Sequence, residues 1–190
     1  MSDQPARLLH EDPVIHRRRW FLLGVMCLSL VMVVMSVAGL NVAIPSLQTD
    51  LQATAAELQW IIDAYALVFA ALLLPAGALG DRFGRKRALL LGLIIFALGS
   101  VVGGIATSAP QIIAGRVING IGAAFVMPAT LSLLTTIFPP EERSKAIAMW
   151  AGFAGAGGAL GPIVSGALLE SFWWGSAFLV NVPIVLAVVV

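Results

Sequence analysis

The chain has 190 residues, of which 59% are hydrophobic and only 11% charged, and its mean hydropathy is +0.97. A water-soluble domain of this size needs a charged surface, and these charges are too few to make one, so the apolar excess must face lipid. The single cysteine, Cys27, excludes an intrachain disulfide and a cysteine-rich metal site; the net charge of +1 says nothing until the placement of the charges is read.

Residues 1–19 form a polar tail that holds Arg7, Arg17, Arg18 and Arg19 and both histidines, His10 and His16. A helix needs about 20 predominantly apolar residues to cross the hydrocarbon core. On that criterion spans are predicted over 20–45, 58–80, 88–107, 111–137, 145–168 and 172–190. The second is interrupted only by Asp63, and the fourth includes Arg116. The last runs to Val190 without a polar cap or basic anchor, which reads as a chain ending within its sixth helix, a fragment of a longer protein. A cleaved signal peptide is disfavoured, because the first apolar run is too long for one and five more spans follow.

Basic residues mark one side. Arg82, Arg85, Lys86 and Arg87 lie between the second and third spans, and Arg143 and Lys145 between the fourth and fifth. The connections at 49–57, at 106–110 and around Glu170 have no lysine or arginine. Basic loops stay in the cytoplasm, so the N-terminus and every even connection are expected there. Trp20, Trp60, Trp173 and Trp174 fall at span ends, where amphipathic rings prefer to sit. The basic residues therefore read as topological anchors, with no nucleic-acid partner. No HExxH, GxSxG, P-loop or metal-ligand cluster occurs, so no enzyme activity, metal or cofactor is expected.

Three features stand out from the apolar background. Between the second and third spans lies Gly77-Ala-Leu-Gly-Asp81-Arg82-Phe-Gly84-Arg85-Lys86-Arg87. Gly84 suits a tight reversal, and Asp81 sits among four cations; on residues alone this is an anchored turn. Asp63 and Arg116 are the charges within spans, where charge is costly and faces a cavity or a partner. Each lies about 8 Å deep from the same face, so the two are expected to be able to pair. The fifth span carries Gly152, Gly155, Gly157, Gly158, Gly161 and Gly166, with Pro162 inside it; Gly157 and Gly161 have the spacing that lets helices approach closely in lipid.

The loop from Gly77 to Arg87 resembles the signature loop of the major facilitator superfamily, with Gly77, Leu79, Asp81, Arg82, Gly84, Arg85, Lys86 and Arg87 at its usual positions. The resemblance implies a cytoplasmic latch, in which Asp81 bonds to a helix of the other half of a transporter and helps hold its outward-facing state. Arg116-Val-Ile-Asn119-Gly120-Ile-Gly122-Ala-Ala124 resembles the family's fourth-helix motif, whose arginine is linked to proton coupling; Asn119 replaces the usual glutamine. Gln59-Trp-Ile-Ile-Asp63-Ala-Tyr65 resembles the second helix of fourteen-helix exporters, where the aspartate is implicated in cation recognition or coupling. Gly157-Gly-Ala-Leu-Gly161-Pro162-Ile-Val-Ser165-Gly166 resembles the antiporter motif, with Ser165 in place of a glycine. The first span resembles the first-helix motif of the same exporters at Ser36, Asn41 and Pro45. Those exporters have an aspartate at the position of Ser36, which cannot titrate near neutral pH.

The resemblance implies an all-α polytopic membrane protein, the N-terminal six-helix bundle of the superfamily built as a 3+3 inverted repeat. It implies a drug:proton antiporter of the fourteen-helix type, exporting amphipathic and often cationic compounds by alternating access. The proton motive force, with no cofactor, would drive it. The expected partners are those compounds, protons, the lipid bilayer and the missing C-terminal half; the expected location is a bacterial cell membrane. Two other functions fit the same helices: an importer or facilitator of a metabolite, and a six-helix scaffold that transports nothing.

Overall fold

A computed structural model describes residues 13–189, so Arg7 and His10 of the tail and Val190 lie outside the described residues. The helices are α1 (Pro13–Asp50), α2 (Ala55–Phe83), α3 (Arg85–Gly104), α4 (Ala109–Ile137), α5 (Pro140–Ser171), α6 (Ser176–Leu179) and α7 (Asn181–Val189). The first five are long and apolar enough to cross a membrane; Ser176–Val189 is a shorter apolar stretch. Among the described residues no strand occurs. The fold is thus all-helical, as composition requires: in hydrocarbon a helix satisfies its own backbone.

Local chemistry sets the helix ends. Thr54 and Glu57 form a capping box at the start of α2: the Glu57 backbone N–H donates to Thr54 Oγ1 at 3.3 Å, and the Thr54 N–H donates to Glu57 Oε2 at 2.8 Å. Gly84 has φ +107°, a conformation open to glycine, and its N–H closes α2 by donating to Gly80 O at 2.9 Å. This one residue reverses the chain between α2 and α3. Ahead of α4, Gln111 Oε1 accepts from the Thr107 N–H at 2.7 Å. The stretch after Ser171 is not one continuous helix. It turns through Trp173–Gly175, and α6 ends before Asn181. Pro183 has no N–H for the carbonyl of Leu179, which accounts for the break between α6 and α7.

Helix α4 is central, packed along α3 on one side and α2 on the other; α1 packs along α5 and crosses α4. Exchanging α1 with α4 and α2 with α5 converts the α1–α5 contact into the α4–α2 contact, as two inverted three-helix repeats would have it. The buried apolar residues form three layers along the bundle axis. Leu23, Met26, Leu134 and Phe138 fill the end nearest the N-terminus, Met32, Leu93, Phe96 and Val126 the middle, and Leu47, Ile61, Ile112 and Phe178 the far end. Outward-facing apolar side chains remain bare, among them Leu74 at 83% and Ile163 at 66% exposure. Such a surface suits lipid or further protein rather than water.

Candidate functional site

Arg116 is only 1% exposed and lies where α1, α2 and α4 meet. A guanidinium in such a place must be satisfied or it would unfold the bundle. Its Nε donates to the backbone carbonyl of Ile61 at 3.1 Å, and its Nη1 reaches Ser36 Oγ at a long 3.5 Å. Its Cζ lies 4.3 Å from the centroid of the Tyr65 ring, which in turn stacks on Phe69. The negative face of an aromatic ring favours a cation there. Helix α2 supplies Ile61 and Tyr65 from one face because they are four residues apart.

Asp63 is not Arg116's partner. It is partly exposed, and Gln59 Nε2 donates to its Oδ2 at 2.8 Å. Among the described residues the ion pairs are Arg19–Glu142 and Arg85–Asp81. Depth alone would bring the two charges together; direction around the helix separates them. Asp63 is two residues from both Ile61 and Tyr65, hence about 200° around α2 from the face that meets Arg116.

Ser36 is the member of the first-helix motif that touches Arg116, whereas Asn41 and Pro45 occupy exposed positions of α1. Their neighbour Gly39 backs onto α5: a Cβ there would meet the carbonyl of Gly161 at 3.0 Å and the side chain of Ser165. The antiporter motif itself divides. Gly157 and Gly161 press on α1, while Pro162 is exposed and Gly166 has nothing within 4 Å of its Cβ position.

The signature loop forms a separate group at the end nearest the N-terminus. Arg85 Nε donates to Asp81 Oδ1 at 3.1 Å and its Nη1 donates to the Ser132 carbonyl of α4 at 3.0 Å. Asp81, Arg82, Lys86 and Arg87 are exposed, and Arg82 lies 5.3 Å over the Phe83 ring. Gly77, Asp81 and Arg85 line a cavity of about 140 Å3 between α2, α3 and α4. Gly84, Arg85, Lys86 and Arg87 border a wider groove of about 560 Å3 against Leu133 and Thr136. At the same end Arg19 grips Glu142 with two bonds, of 2.7 and 3.0 Å, tying the start of α1 to the first turn of α5. Both groups lie outside the apolar stretches, and the Arg19 guanidinium holds the Glu142 carboxyl below the usual carboxylate range.

Sequence reasoning missed two of these features. The Arg19–Glu142 pair joins residues 123 positions apart, and no local pattern announces it. Asn119 is fully buried, and its Nδ2 donates to Phe96 O at 2.7 Å and to Ser100 Oγ at 3.1 Å, so it fastens α4 to α3. The signal for that was a polar amide in an apolar helix.

The profile of the Major Facilitator Superfamily matches residues 26–190. The chain is 46% identical over 172 residues to the methyl viologen resistance protein SmvA of Salmonella typhimurium, covering 90% of this chain and 35% of that protein. It is 45% identical over 174 residues to the multidrug efflux pump LfrA of Mycolicibacterium smegmatis, covering 91% and 34%. It is 36% identical over 189 residues to the tetracenomycin C resistance and export protein of Streptomyces glaucescens, covering 99% and 35%. The chain therefore spans about a third of the length of the curated relatives it matches. Its fold is similar to that of a bacterial homologue of the human lysosomal transporter Spinster in an inward-facing, occupied conformation, with a TM-score of 0.79 at 21% identity over 90% of this chain and 43% of that one. Relatives and profile alike describe transporters rather than enzymes, in keeping with a multi-pass membrane protein. The chain belongs to the major facilitator superfamily.

Proposed function

We propose that this chain supplies the N-terminal bundle of an alternating-access transporter that exports amphipathic small molecules in exchange for protons. The observation that carries the reading is the burial of Arg116 among three helices, satisfied by a carbonyl, a hydroxyl and an aromatic face. A charge kept in hydrocarbon at that cost serves a binding or coupling step in preference to packing. Similarity to proteins named for drug resistance and efflux supports export over import. Asp63, partly exposed and held by Gln59, is the group we assign to binding a proton or a cationic substrate group in turn. Inward movement of one proton supplies about 2.3 kcal/mol per 100 mV from the membrane potential.

In this reading the two halves of the full transporter rock about a shared central site. The N-terminus and the signature loop face the cytoplasm of a bacterial cell, and the Asp81–Arg85 pair stands ready to engage the other half. The test is ethidium accumulation in everted vesicles containing the full-length protein, driven by an imposed pH gradient, acid inside. Asp63→Asn should abolish the gradient-driven component, and full wild-type accumulation in that variant would remove Asp63 from coupling. For orientation, a cysteine introduced at Thr54 or Ser108 should react with an impermeant reagent added outside the cell. Labelling of either only from the cytosolic face would invert the topology.

A further inference from the structure

We infer that Ser36 and Arg116 form a subsite for an anionic group of the transported molecule, a carboxylate, sulfonate or phenolate; the inference rests on the exporter reading above. Arg116 brings a full positive charge into the bundle and meets only neutral acceptors, the Ile61 carbonyl and the Ser36 hydroxyl, besides the Tyr65 ring. Among the described residues no carboxylate pairs with it, and Asp63 is committed to Gln59 on the far side of α2. A buried cation without a counter-charge is an attractive site for an anion.

Ser36 gives that charge a way out. Arg116 is 1% exposed, whereas Ser36 is partly exposed. Ser36 Oγ accepts from Arg116 Nη1 across a long 3.5 Å, which leaves its own O–H available to donate to a bound group. A hydroxyl that accepts from a cation becomes a stronger donor, because hydrogen bonds in a chain polarise one another. The positive character of Arg116 thus reaches the accessible face through a small neutral side chain. A carboxylate at position 36 would do the opposite: it would neutralise Arg116, offer no donor and repel an anion. Asp63, pointing elsewhere and bonded to Gln59 through one oxygen, keeps its other oxygen for a proton or a cationic group. The site as a whole then suits molecules that carry an acidic group, zwitterions included, alongside plain cations.

The test uses purified full-length protein in detergent, without any ion gradient, and two xanthene dyes of similar size and opposite charge, fluorescein and rhodamine 123, titrated at mildly alkaline pH by fluorescence polarisation. Ser36→Asp should weaken fluorescein by about tenfold or more and leave rhodamine 123 within about threefold or bind it more tightly. Ser36→Asn, similar in size and uncharged, should keep fluorescein within about threefold of wild type. Replacing chloride by gluconate should not change fluorescein affinity. The inference is overturned if Ser36→Asp shifts both dyes alike, if Ser36→Asn reproduces its effect, or if wild type fails to bind fluorescein, as it would were a carboxylate from the rest of the protein to cover Arg116. It is equally overturned if removing chloride raises fluorescein affinity about tenfold, which would mark a site for small free ions. Gradient-driven efflux of rhodamine 123 from proteoliposomes is measured in parallel. Its absence, with the dye discrimination intact, would defeat the exporter reading and leave the subsite standing.

Discussion

The α3–α4 seam and helix α5 are both rich in glycine, and they use it in opposite ways. In the seam the helices touch backbone to backbone. A Cβ on Gly99 would lie 2.7 Å from the Gly115 carbonyl oxygen, and one on Gly122 would lie 2.6 Å from the Phe96 nitrogen. On α5, Gly157 and Gly161 press on α1, but Gly152, Gly155, Gly158 and Gly166 have nothing within 4 Å of a Cβ position. The same residue type therefore reports closeness in one helix pair, and in the other reports mostly an outward surface that this bundle does not fill. Glycine is unfavourable in a helix by about 1 kcal/mol against alanine; the seam offsets that cost through contact, whereas on α5 only Gly157 and Gly161 do so.

The seam gives the largest expected effect. Gly122→Val would drive a branched side chain into the backbone of α3, which has no rotamer by which to yield. Overpacking of this kind costs about 1–3 kcal/mol and sometimes more, so the variant should unfold at markedly lower temperature in detergent or fail to accumulate in the membrane. Unchanged melting would mean that α3 and α4 are further apart than described. Gly161→Ala comes next. Its Cβ would lie 2.8 Å from the Met35 carbonyl and from the Gly39 nitrogen, and about 1–3 kcal/mol should be lost. Gly158→Ala, three residues away on the open side, should leave melting unchanged or raise it slightly. If both alanines destabilised equally, the division of α5 into two faces would be wrong. Should Gly158→Ala stop transport without touching stability, the open face meets something outside this bundle.

Asn119→Ala is a smaller probe of the same seam. It removes the two bonds to α3, and interhelical hydrogen bonds of this kind in membranes are worth about 0.6 kcal/mol on average and at most about 1.7. A modest fall in melting temperature is expected, well below that of Gly122→Val. An equal fall would show that the amide, and not the close backbone approach, holds α3 on α4.

How much of this was legible without coordinates follows from which forces are local. The long helices were, because about 20 apolar residues in a row have one stable form in lipid. So was the reversal at Gly84, since a positive φ between two spans calls for glycine. The seam was not read, although Gly92 and Gly99 on α3 and Gly115 and Gly122 on α4 recur at the same spacing. Nothing along the chain says which glycine row faces which. Asp63 and Arg116 failed as a pair for a related reason: depth can be counted from a helix end, but direction around the helix depends on where its neighbours sit. Ser36 was noticed as a missing acid, and its contact with Arg116 became visible only in three dimensions. The break before Asn181 is legible in Pro183, but the apolar run continues through it and so reads as one span.

The α1–α5 pair has one feature the α3–α4 seam lacks, an ion pair across its end, and this gives the smallest expected effect. Arg19 holds Glu142 through both carboxylate oxygens, and Lys145 lies 5.4 Å over the Trp20 ring beside it. The Glu142 carboxyl is held below its usual range, chiefly by its hydrogen bond from Arg19. A depressed carboxylate contributes stability above its unfolded-state value and loses that contribution as pH falls through its folded-state value. Glu142→Gln should therefore melt slightly below wild type at neutral pH, and the gap should close on acidification below the usual carboxylate range, near pH 4 or under. High salt should narrow the gap as well, since the pair sits where ions reach it. A gap that stayed constant with pH and salt would mean that Glu142 holds α1 on α5 by its shape and not by its charge.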